Sequence, residues 1–230
     1  MKVSSKRLKL ARNLVLKKNY EISEAVEILK QTATAKFVES AEAHFCLNID
    51  TKYNDQQLRT TITLPKGTGK TIKIAVLVSE NTDQNFLLKQ GADIVGSNDL
   101  IEEIVKSNLN FDLLLTTPDM MPHLTKLGKI LGPKGLMPST KSGTISTDIS
   151  AALNEFKTGK VECRADKTGV VHLLFGKVDF LTSDLIENFL AIYDAIKQNR
   201  PSGVKGKYIK TVTICTTMGP AININISTLP

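Results

Sequence analysis

The sequence has 230 residues, of which 41% are hydrophobic and 23% charged; these proportions are those of ordinary globular proteins and exclude a fibrous or wholly disordered chain. Apolar runs stay well short of the roughly 20 residues that a membrane-spanning helix needs, so we expect a soluble protein. The formal net charge of +7 favours a polyanionic partner; nucleic acid is the leading class and an anionic membrane surface the second, and with nucleic acid preferred no membrane partner is expected.

The segment before residue 67 predicts helices followed by strands. Periodicity predicts helices over 5–17 and 23–31 and strands over 43–49 and 60–64. The opening lacks the continuous apolar core and the cleavage site of a secretory signal, so we expect it to remain in the mature protein. Its first eighteen residues contain no acid, and their cations suit either phosphate neutralisation or a solvated helix face; these are Lys2, Lys6, Arg7, Lys9, Arg12, Lys17 and Lys18.

Residues 67–159 alternate between strand and helix patterns. Apolar runs rich in β-branched or aliphatic residues predict strands at 72–78, 93–95 and 111–116. Helical periodicity lies between and after them, at 82–90, at 100–106 and from Pro118 onward, where proline suits the first turn of a helix. Strands that alternate with helices predict a parallel sheet flanked by helices, an α/β arrangement.

The last part of the chain predicts an antiparallel arrangement. Strands at 161–165 and 170–175 flank a turn that ends in Gly169, and a helix at 185–198 precedes a strand at 208–213. Together with the segment before residue 67, this pattern predicts an α+β domain built around an antiparallel sheet.

Charge separates the middle of the chain from its flanks. Residues 67–159 have a net charge of −1, so the rest of the chain carries +8. Glycines lie at both ends of this segment, where the chain would enter and leave an inserted domain. We therefore predict a discontinuous domain, residues 1–66 and 160–230, that carries an inserted domain at 67–159. The expected hinge residues are Gly67, Gly69 and Gly159.

Two glycine-containing segments resemble phosphate-binding motifs. Residues 67–71 end in the Gly-Lys-Thr of a nucleotide-binding loop, but position 64 is Leu and a strand follows, so we interpret the segment as an inter-domain hinge. Residues 132–135 have the Gly-x-x-Gly form of KH modules without the helix that should follow. This basic loop is still suited to phosphate contacts; the candidate lysines are Lys126, Lys129, Lys134 and Lys141.

Catalysis, metal binding and disulfide bonding find little support in the sequence. The histidines, His44, His123 and His172, lie far apart, and no residues show metal-ligand spacing or a nucleophile motif. The three cysteines are odd in number and widely separated, which argues for a reducing compartment. No enzymatic activity, metal or cofactor is expected.

The flanks hold the residues best suited to RNA. Lys36 and Phe37 join a cation to an aromatic ring, and residues 216–220 combine hydroxyls with a glycine that permits close backbone approach. Aromatic residues make up only 5% of the chain and Trp is absent. Contacts to the backbone, shape and 2′-hydroxyls of folded RNA therefore fit better than base stacking along a single strand.

Five segments, in order along nearly the whole chain, closely resemble the family of large-subunit ribosomal protein one. The segments are residues 64–70, 127–138, 166–172, 201–210 and 216–220. The resemblance implies a discontinuous RNA-binding domain with an inserted Rossmann-like domain, and this division of the chain agrees with the split predicted from charge and periodicity. The sequence departs mildly from the family at Lys66, where His is usual, and at Ser139-Thr140, where Asn-Pro is usual.

The resemblance also implies a function. Members bind large-subunit ribosomal RNA, form the mobile stalk and help a deacylated tRNA leave the exit site; many bacterial members also bind their own messenger RNA, so a translational repressor is the alternative. A bacterial cytoplasm or a plastid (chloroplast) stroma is the expected location, on the ribosome. The matching RNA-binding positions are Lys36, Phe37, Ser40, Glu42, Arg164, Asp166, Lys167, His172, Thr211, Thr217, Met218 and Gly219.

Overall fold

The structure, a computed structural model, describes residues 5–16, 19–79, 82–106 and 109–229. In chain order its helices are α1 (Lys6–Leu14), α2 (Ile22–Thr32), α3 (Gln84–Lys89), α4 (Asn98–Val105), α5 (Met121–Thr125), α6 (Gly128–Leu131), α7 (Ile149–Thr158) and α8 (Thr182–Gln198). Its strands are β1 (Ser40–Leu47), β2 (Arg59–Thr63), β3 (Ile74–Leu77), β4 (Ile94–Gly96), β5 (Leu113–Thr116), β6 (Lys160–Arg164), β7 (Val170–Lys177), β8 (Ile209–Thr216) and β9 (Ile222–Ile224).

The chain forms two compact units. The first comprises Met1–Gly69 and Val161–Pro230, and the second comprises Lys70–Lys160. The first unit is therefore made from both flanks of the chain. None of the described helices is long and apolar enough to cross a lipid bilayer.

A four-stranded antiparallel sheet, which we call the flank sheet, organises the first unit. Its strand order is β7-β1-β8-β9. Along β1 every second residue is buried, because alternate side chains of a strand point to opposite faces. The buried face packs with α2 and α8 into one core, in which Phe45 and Phe189 stack with ring centroids 5.7 Å apart. Burying such a side chain stabilises the fold by roughly 1.5–3 kcal/mol.

A smaller parallel sheet organises the second unit, in the order β4-β3-β5. All four residues of β3 are buried. Ile74 and Val76 pack with residues of α3 and α7, whereas Ala75 and Leu77 pack with residues of α4, α5 and α6. The sheet is thus covered on both faces, which explains why the strands read as continuous apolar runs. The predicted fold class, an antiparallel α+β part carrying an α/β part, is confirmed.

Three details of the sequence prediction were wrong or incomplete, and the first is that the short strand β9 was not predicted. Helix α7 was not predicted, although Asp148 caps its start by accepting a hydrogen bond from the Ala151 amide and Gly159 ends it with a φ of 116°. The strands around residues 166–169 were predicted as a hairpin. In the structure β6 pairs with β2 and β7 pairs with β1, and a single bridge between Ala165 and Val171 joins the two strands beside the turn.

Candidate nucleic-acid interface

The flank sheet presents two exposed apolar side chains where β1 begins and β8 ends. Phe37, in the loop before β1, is 55% exposed, and Met218, in the turn after β8, is 50% exposed. The backbones of the two segments are joined directly: the Thr217 amide donates to the Ser40 carbonyl at 3.1 Å, and the Ser40 amide donates to Thr217 Oγ1 at 3.0 Å. Six of the predicted RNA-binding residues therefore meet at one end of the sheet: Lys36, Phe37, Ser40, Thr217, Met218 and Gly219.

A buried carboxylate, which the sequence prediction missed, ties these segments together. Glu39 Oε1 accepts a hydrogen bond from the Ala35 amide and Oε2 accepts one from the Met218 amide, both at 2.9 Å. Burial acts to raise the pKa of the Glu39 carboxyl, but the Met218 and Ala35 amides, the Thr216 side chain and the Arg7 guanidinium together outweigh it, so the pKa lies below its ordinary value. Glu39 is thus an anionic clasp that positions residues on both segments.

Arg7 completes this clasp from α1. Its guanidinium donates to Thr34 Oγ1 at 3.2 Å and to the Met218 carbonyl at 3.1 Å, and it lies 3.9 Å from Glu39 Oε1. For Arg7 the sequence left open phosphate neutralisation or a solvated helix face; in the structure its guanidinium has intramolecular partners. Lys6, Lys9 and Arg12 are exposed on α1, and Lys2, Lys17 and Lys18 lie outside the described residues.

Gly219 is required by space. A Cβ atom at this position would lie 2.2 Å from Thr216 Oγ1, on a side chain that is itself buried. The turn is held by the Gly219 amide, which donates to the Thr216 carbonyl at 3.1 Å. A larger residue would displace the turn that presents Met218.

The face of the flank sheet opposite the core carries polar residues in register. Glu42 pairs with Leu174 and Cys215, His44 pairs with His172 and Thr213, and Cys46 pairs with Thr211. The His172 side chain is 56% exposed and Thr211 is also exposed. Three predicted RNA-binding residues, Glu42, His172 and Thr211, therefore share this open face.

The end of β6 and the turn before β7 add three more predicted residues, all exposed: Arg164 is the last residue of β6, and Asp166 and Lys167 lie in the turn. The Asp166 carboxylate accepts hydrogen bonds from the Val170 amide and the Thr168 amide, both at 2.8 Å. The Val170 amide, the Thr168 side chain and the Thr168 amide lower the pKa of Asp166. The carboxylate shapes the turn, and the cationic neighbours Arg164 and Lys167 are the groups suited to phosphate.

The open face also brings together ligand-type side chains that lie far apart in the sequence. Glu42, His44 and Cys215 each offer one donor atom, and these atoms lie within 4.8 Å of one another. Burial, together with the neighbouring His172, lowers the pKa of His44, and burial raises the pKa of the Cys215 thiol. The sequence prediction of no metal-ligand set rested on the distance between these residues along the chain. Pairing of β1 with β8 brings residues that are far apart in sequence close together in space.

The second unit holds the predicted lysine group around α5 and α6. Lys126, Lys129, Lys134 and Lys141 are all exposed. Lys134 lies in the turn that follows α6, where Gly135 has a φ of 71°. No salt bridge within the described ranges involves these four lysines.

The glycines predicted as hinges occupy constrained turns. Gly67 and Gly69 have φ values of 67° and 69°, and a Cβ atom on Gly69 would lie 2.9 Å from the Phe180 ring. Buried Asn188 fixes this turn by accepting from the Lys66 amide at 3.0 Å and donating to the Gly67 carbonyl at 3.0 Å and the Phe175 carbonyl at 2.8 Å. Residues 66–69 are thus anchored within the first unit.

Comparison with known proteins agrees with this architecture. The model of the "Ribosomal protein L1p/L10e family" matches residues 29–220. Large ribosomal subunit protein uL1c of Guillardia theta is 56% identical over 223 residues, covering 97% of this chain and 95% of that protein. The uL1c protein of Trieres chinensis is 62% identical over 208 residues, covering 90% and 89%, and the uL1 protein of Trichodesmium erythraeum is 53% identical over 225 residues, covering 98% and 94%.

These matches confirm the family predicted from the five segments. The family is one of ribosomal structural proteins and is not known for enzymatic activity, which agrees with the expected class. The mixture of plastid-type uL1c and cyanobacterial uL1 relatives agrees with a plastid or bacterial ribosome as the expected location. The chain belongs to the ribosomal protein L1p/L10e family.

Proposed function

We propose that this chain binds large-subunit ribosomal RNA directly through the flank sheet, forms part of the mobile stalk and assists the release of deacylated tRNA from the exit site. The observation that carries the proposal is the clasped pair of segments, 34–40 and 217–219, which presents Lys36, Phe37 and Met218 to solvent. In this proposal the discontinuous domain, residues 1–66 and 160–230, holds the ribosomal RNA.

The chemistry of the surface favours folded RNA. The clasp fixes backbone and side-chain positions before any partner arrives, and such preorganisation lowers the entropic cost of binding. Thr211 supplies an exposed hydroxyl, whereas Arg164 and Lys167 supply cations. Hydroxyls and cations suit the 2′-hydroxyls and phosphates of a structured RNA.

A matched pair of phenylalanine variants tests the site. Phe37→Ala removes an aromatic ring from the proposed interface, and Phe86→Ala removes one that is similarly exposed, at 54%, on α3 of the other unit. Truncating an interface aromatic costs about 1–2 kcal/mol, so Phe37→Ala should weaken binding to a ribosomal RNA fragment about 5- to 30-fold. Filter binding with both variants measures the effect; equal affinities for the two variants would refute the assignment.

Salt dependence tests the electrostatic part of the proposal. If the +8 of the flanks neutralises roughly five to eight phosphates, the logarithm of the affinity should fall with the logarithm of salt concentration with a slope of about −4 to −7. The same titration with the chain's own leader messenger RNA separates the two candidate functions. Tighter binding to the messenger than to ribosomal RNA would favour the translational repressor.

We also propose that the inserted domain, residues 67–159, serves the tRNA step and is dispensable for primary RNA binding. Replacing Lys126, Lys129, Lys134 and Lys141 together by Gln should leave ribosomal RNA affinity within about twofold, because in this proposal these exposed lysines contact phosphates of the tRNA and not of the ribosomal RNA. The same variant should slow tRNA release from reconstituted ribosomes. Replacing 70–160, which keeps the anchored turn at residues 66–69, by a short Gly-Ser link should leave ribosomal RNA affinity within about tenfold, since loop closure depends weakly on length; loss of RNA binding by a folded product would place the site in the insert.

A further inference from the structure

Three side chains of different chemistry converge on the open face of the flank sheet. Glu42 and His44 lie two residues apart on β1, and Cys215 lies on β8 directly opposite Glu42. Their donor atoms lie within 4.8 Å of one another, and His44 Nε2 is 3.1 Å from Cys215 Sγ. All three residues are partly buried, so the arrangement is fixed by the pairing of two central strands.

The combination of donors selects a class of metal ion. A thiolate and an imidazole favour zinc-class ions, whereas magnesium and calcium prefer oxygen ligands. Zinc–ligand bonds of about 2.0–2.3 Å place tetrahedral ligand atoms roughly 3.3–3.8 Å apart. His44 Nε2 and Cys215 Sγ, 3.1 Å apart, are close to that spacing, and no pair of the three donor atoms is more than 4.8 Å apart. Small side-chain rotations would therefore bring them around one ion.

A second layer of contacts orients the central imidazole. His44 Nδ1 lies 2.8 Å from His172 Nδ1, and His172 Nε2 lies 3.8 Å from Asp166 Oδ2. When His44 Nδ1–H donates a hydrogen bond to His172 Nδ1, the His172 ring carries its own hydrogen on Nε2, on the side of Asp166. In that tautomer His44 Nε2 has a free lone pair, which points toward Cys215. Metal-binding histidines usually have a partner of this kind for the second ring nitrogen.

We propose that Glu42, His44 and Cys215 form a binding site for a zinc-class divalent ion, with His172 as the residue that positions His44. Three protein ligands leave a fourth coordination position for water or a phosphate oxygen. The site lies on the face that also holds the proposed RNA contacts Glu42, His172 and Thr211.

Cobalt titration of the reduced, RNA-free full chain tests the site. Co²⁺ bound by a thiolate gives a charge-transfer absorption in the near ultraviolet. We expect a saturable band at one equivalent of Co²⁺, which Zn²⁺ displaces. Cys215→Ser should abolish the band. Cys46→Ser is the matched control, because Cys46 lies on the same face of β1 but outside the ligand group, and it should leave the band unchanged.

Two further variants separate coordination from folding. Glu42→Gln removes the carboxylate ligand with little change of shape and should weaken Co²⁺ binding. His172→Gln removes the partner of His44 and should weaken it by about 10- to 100-fold, the usual effect of losing such a partner. Tyrosine fluorescence checks that each variant remains folded. Absence of the band in the unmodified chain, or a band that survives Cys215→Ser, would overturn the proposal.

Discussion

Glu39→Gln is the most informative test of the clasp. The substitution keeps the shape of the side chain but replaces one acceptor oxygen by an NH₂ group, which cannot accept the hydrogen bond of the Ala35 or the Met218 amide. Because the side chain is only 1% exposed, water cannot replace the missing acceptor. Hydrogen bonds to charged groups contribute about 1.5–3 kcal/mol, so the free energy of unfolding should fall by that amount at pH 7. At about 3 °C per kcal/mol, Tm should fall by roughly 5–9 °C.

Tyrosine fluorescence is the right probe for this measurement. The chain has no Trp and four Tyr, and all four, Tyr20, Tyr53, Tyr193 and Tyr208, belong to the first unit. Their emission therefore follows unfolding of the unit that contains Glu39. Glu162→Gln is a matched control, since it removes an exposed carboxylate whose ion pair with Arg59 should contribute at most about 1 kcal/mol.

The pH dependence supplies an independent check. The pKa of Glu39 is lowered in the folded chain, so the unfolded chain binds more protons between the folded pKa and the ordinary value of 4.5. The stability that Glu39 contributes is therefore fully present above pH 4.5 and is lost as the pH falls through the folded pKa. The gap between the original chain and Glu39→Gln should close over that range. Equal stabilities at pH 7, or a gap that persists at low pH, would refute the clasp.

Three further substitutions or modifications test other features. Gly219→Ala should lower stability by about 1–3 kcal/mol in urea unfolding, because the new Cβ would overlap the buried Thr216 side chain; an unchanged midpoint would contradict the steric reasoning. Asn188→Leu should cost about 3 kcal/mol or more by tyrosine-detected unfolding, since it orphans three backbone partners, and a neutral result would mean that the turn is held by other contacts. Cys163 is fully buried and burial raises its thiol pKa to about 12, so it should react with a thiol reagent only after unfolding; labelling at the rate of an exposed thiol would contradict its burial.

Local patterns in the sequence predicted much of the fold. The alternation along β1 and the apolar run of β3 follow directly from burial on one face or on both faces of a sheet. The short strand β9 was missed, because three residues are too few to show a period. Helix α7 could have been predicted, since Asp and Gly are common cap residues and Asp148 and Gly159 flank a helix of ten residues.

The candidate interface was only partly predictable. Phe37 and the segment around Met218 were singled out by their residue types, the resemblance to a family implied the same positions, and the open face of β1 follows from its alternation. Glu39 was missed because an acidic residue near a strand usually faces solvent, and its burial depends on a turn more than 170 residues later in the chain. The grouping of Glu42, His44 and Cys215 likewise depends on strand register, which local sequence does not encode.

The pairing of β1 with β8 has a consequence for the order of events during synthesis. More than 160 residues separate the end of β1 from the start of β8, and β1 is a central strand that cannot complete its ladder alone. The second unit, by contrast, finds all its sheet partners within Lys70–Lys160. We therefore expect the insert to fold first on the translating ribosome. The N-terminal segment is synthesised earlier but can complete its sheet only after β8 has been made. Nascent or truncated chains that lack β8 would lack the hydrogen bond between Glu39 and the Met218 amide, and under the proposed function we expect them to bind ribosomal RNA more weakly than the finished protein.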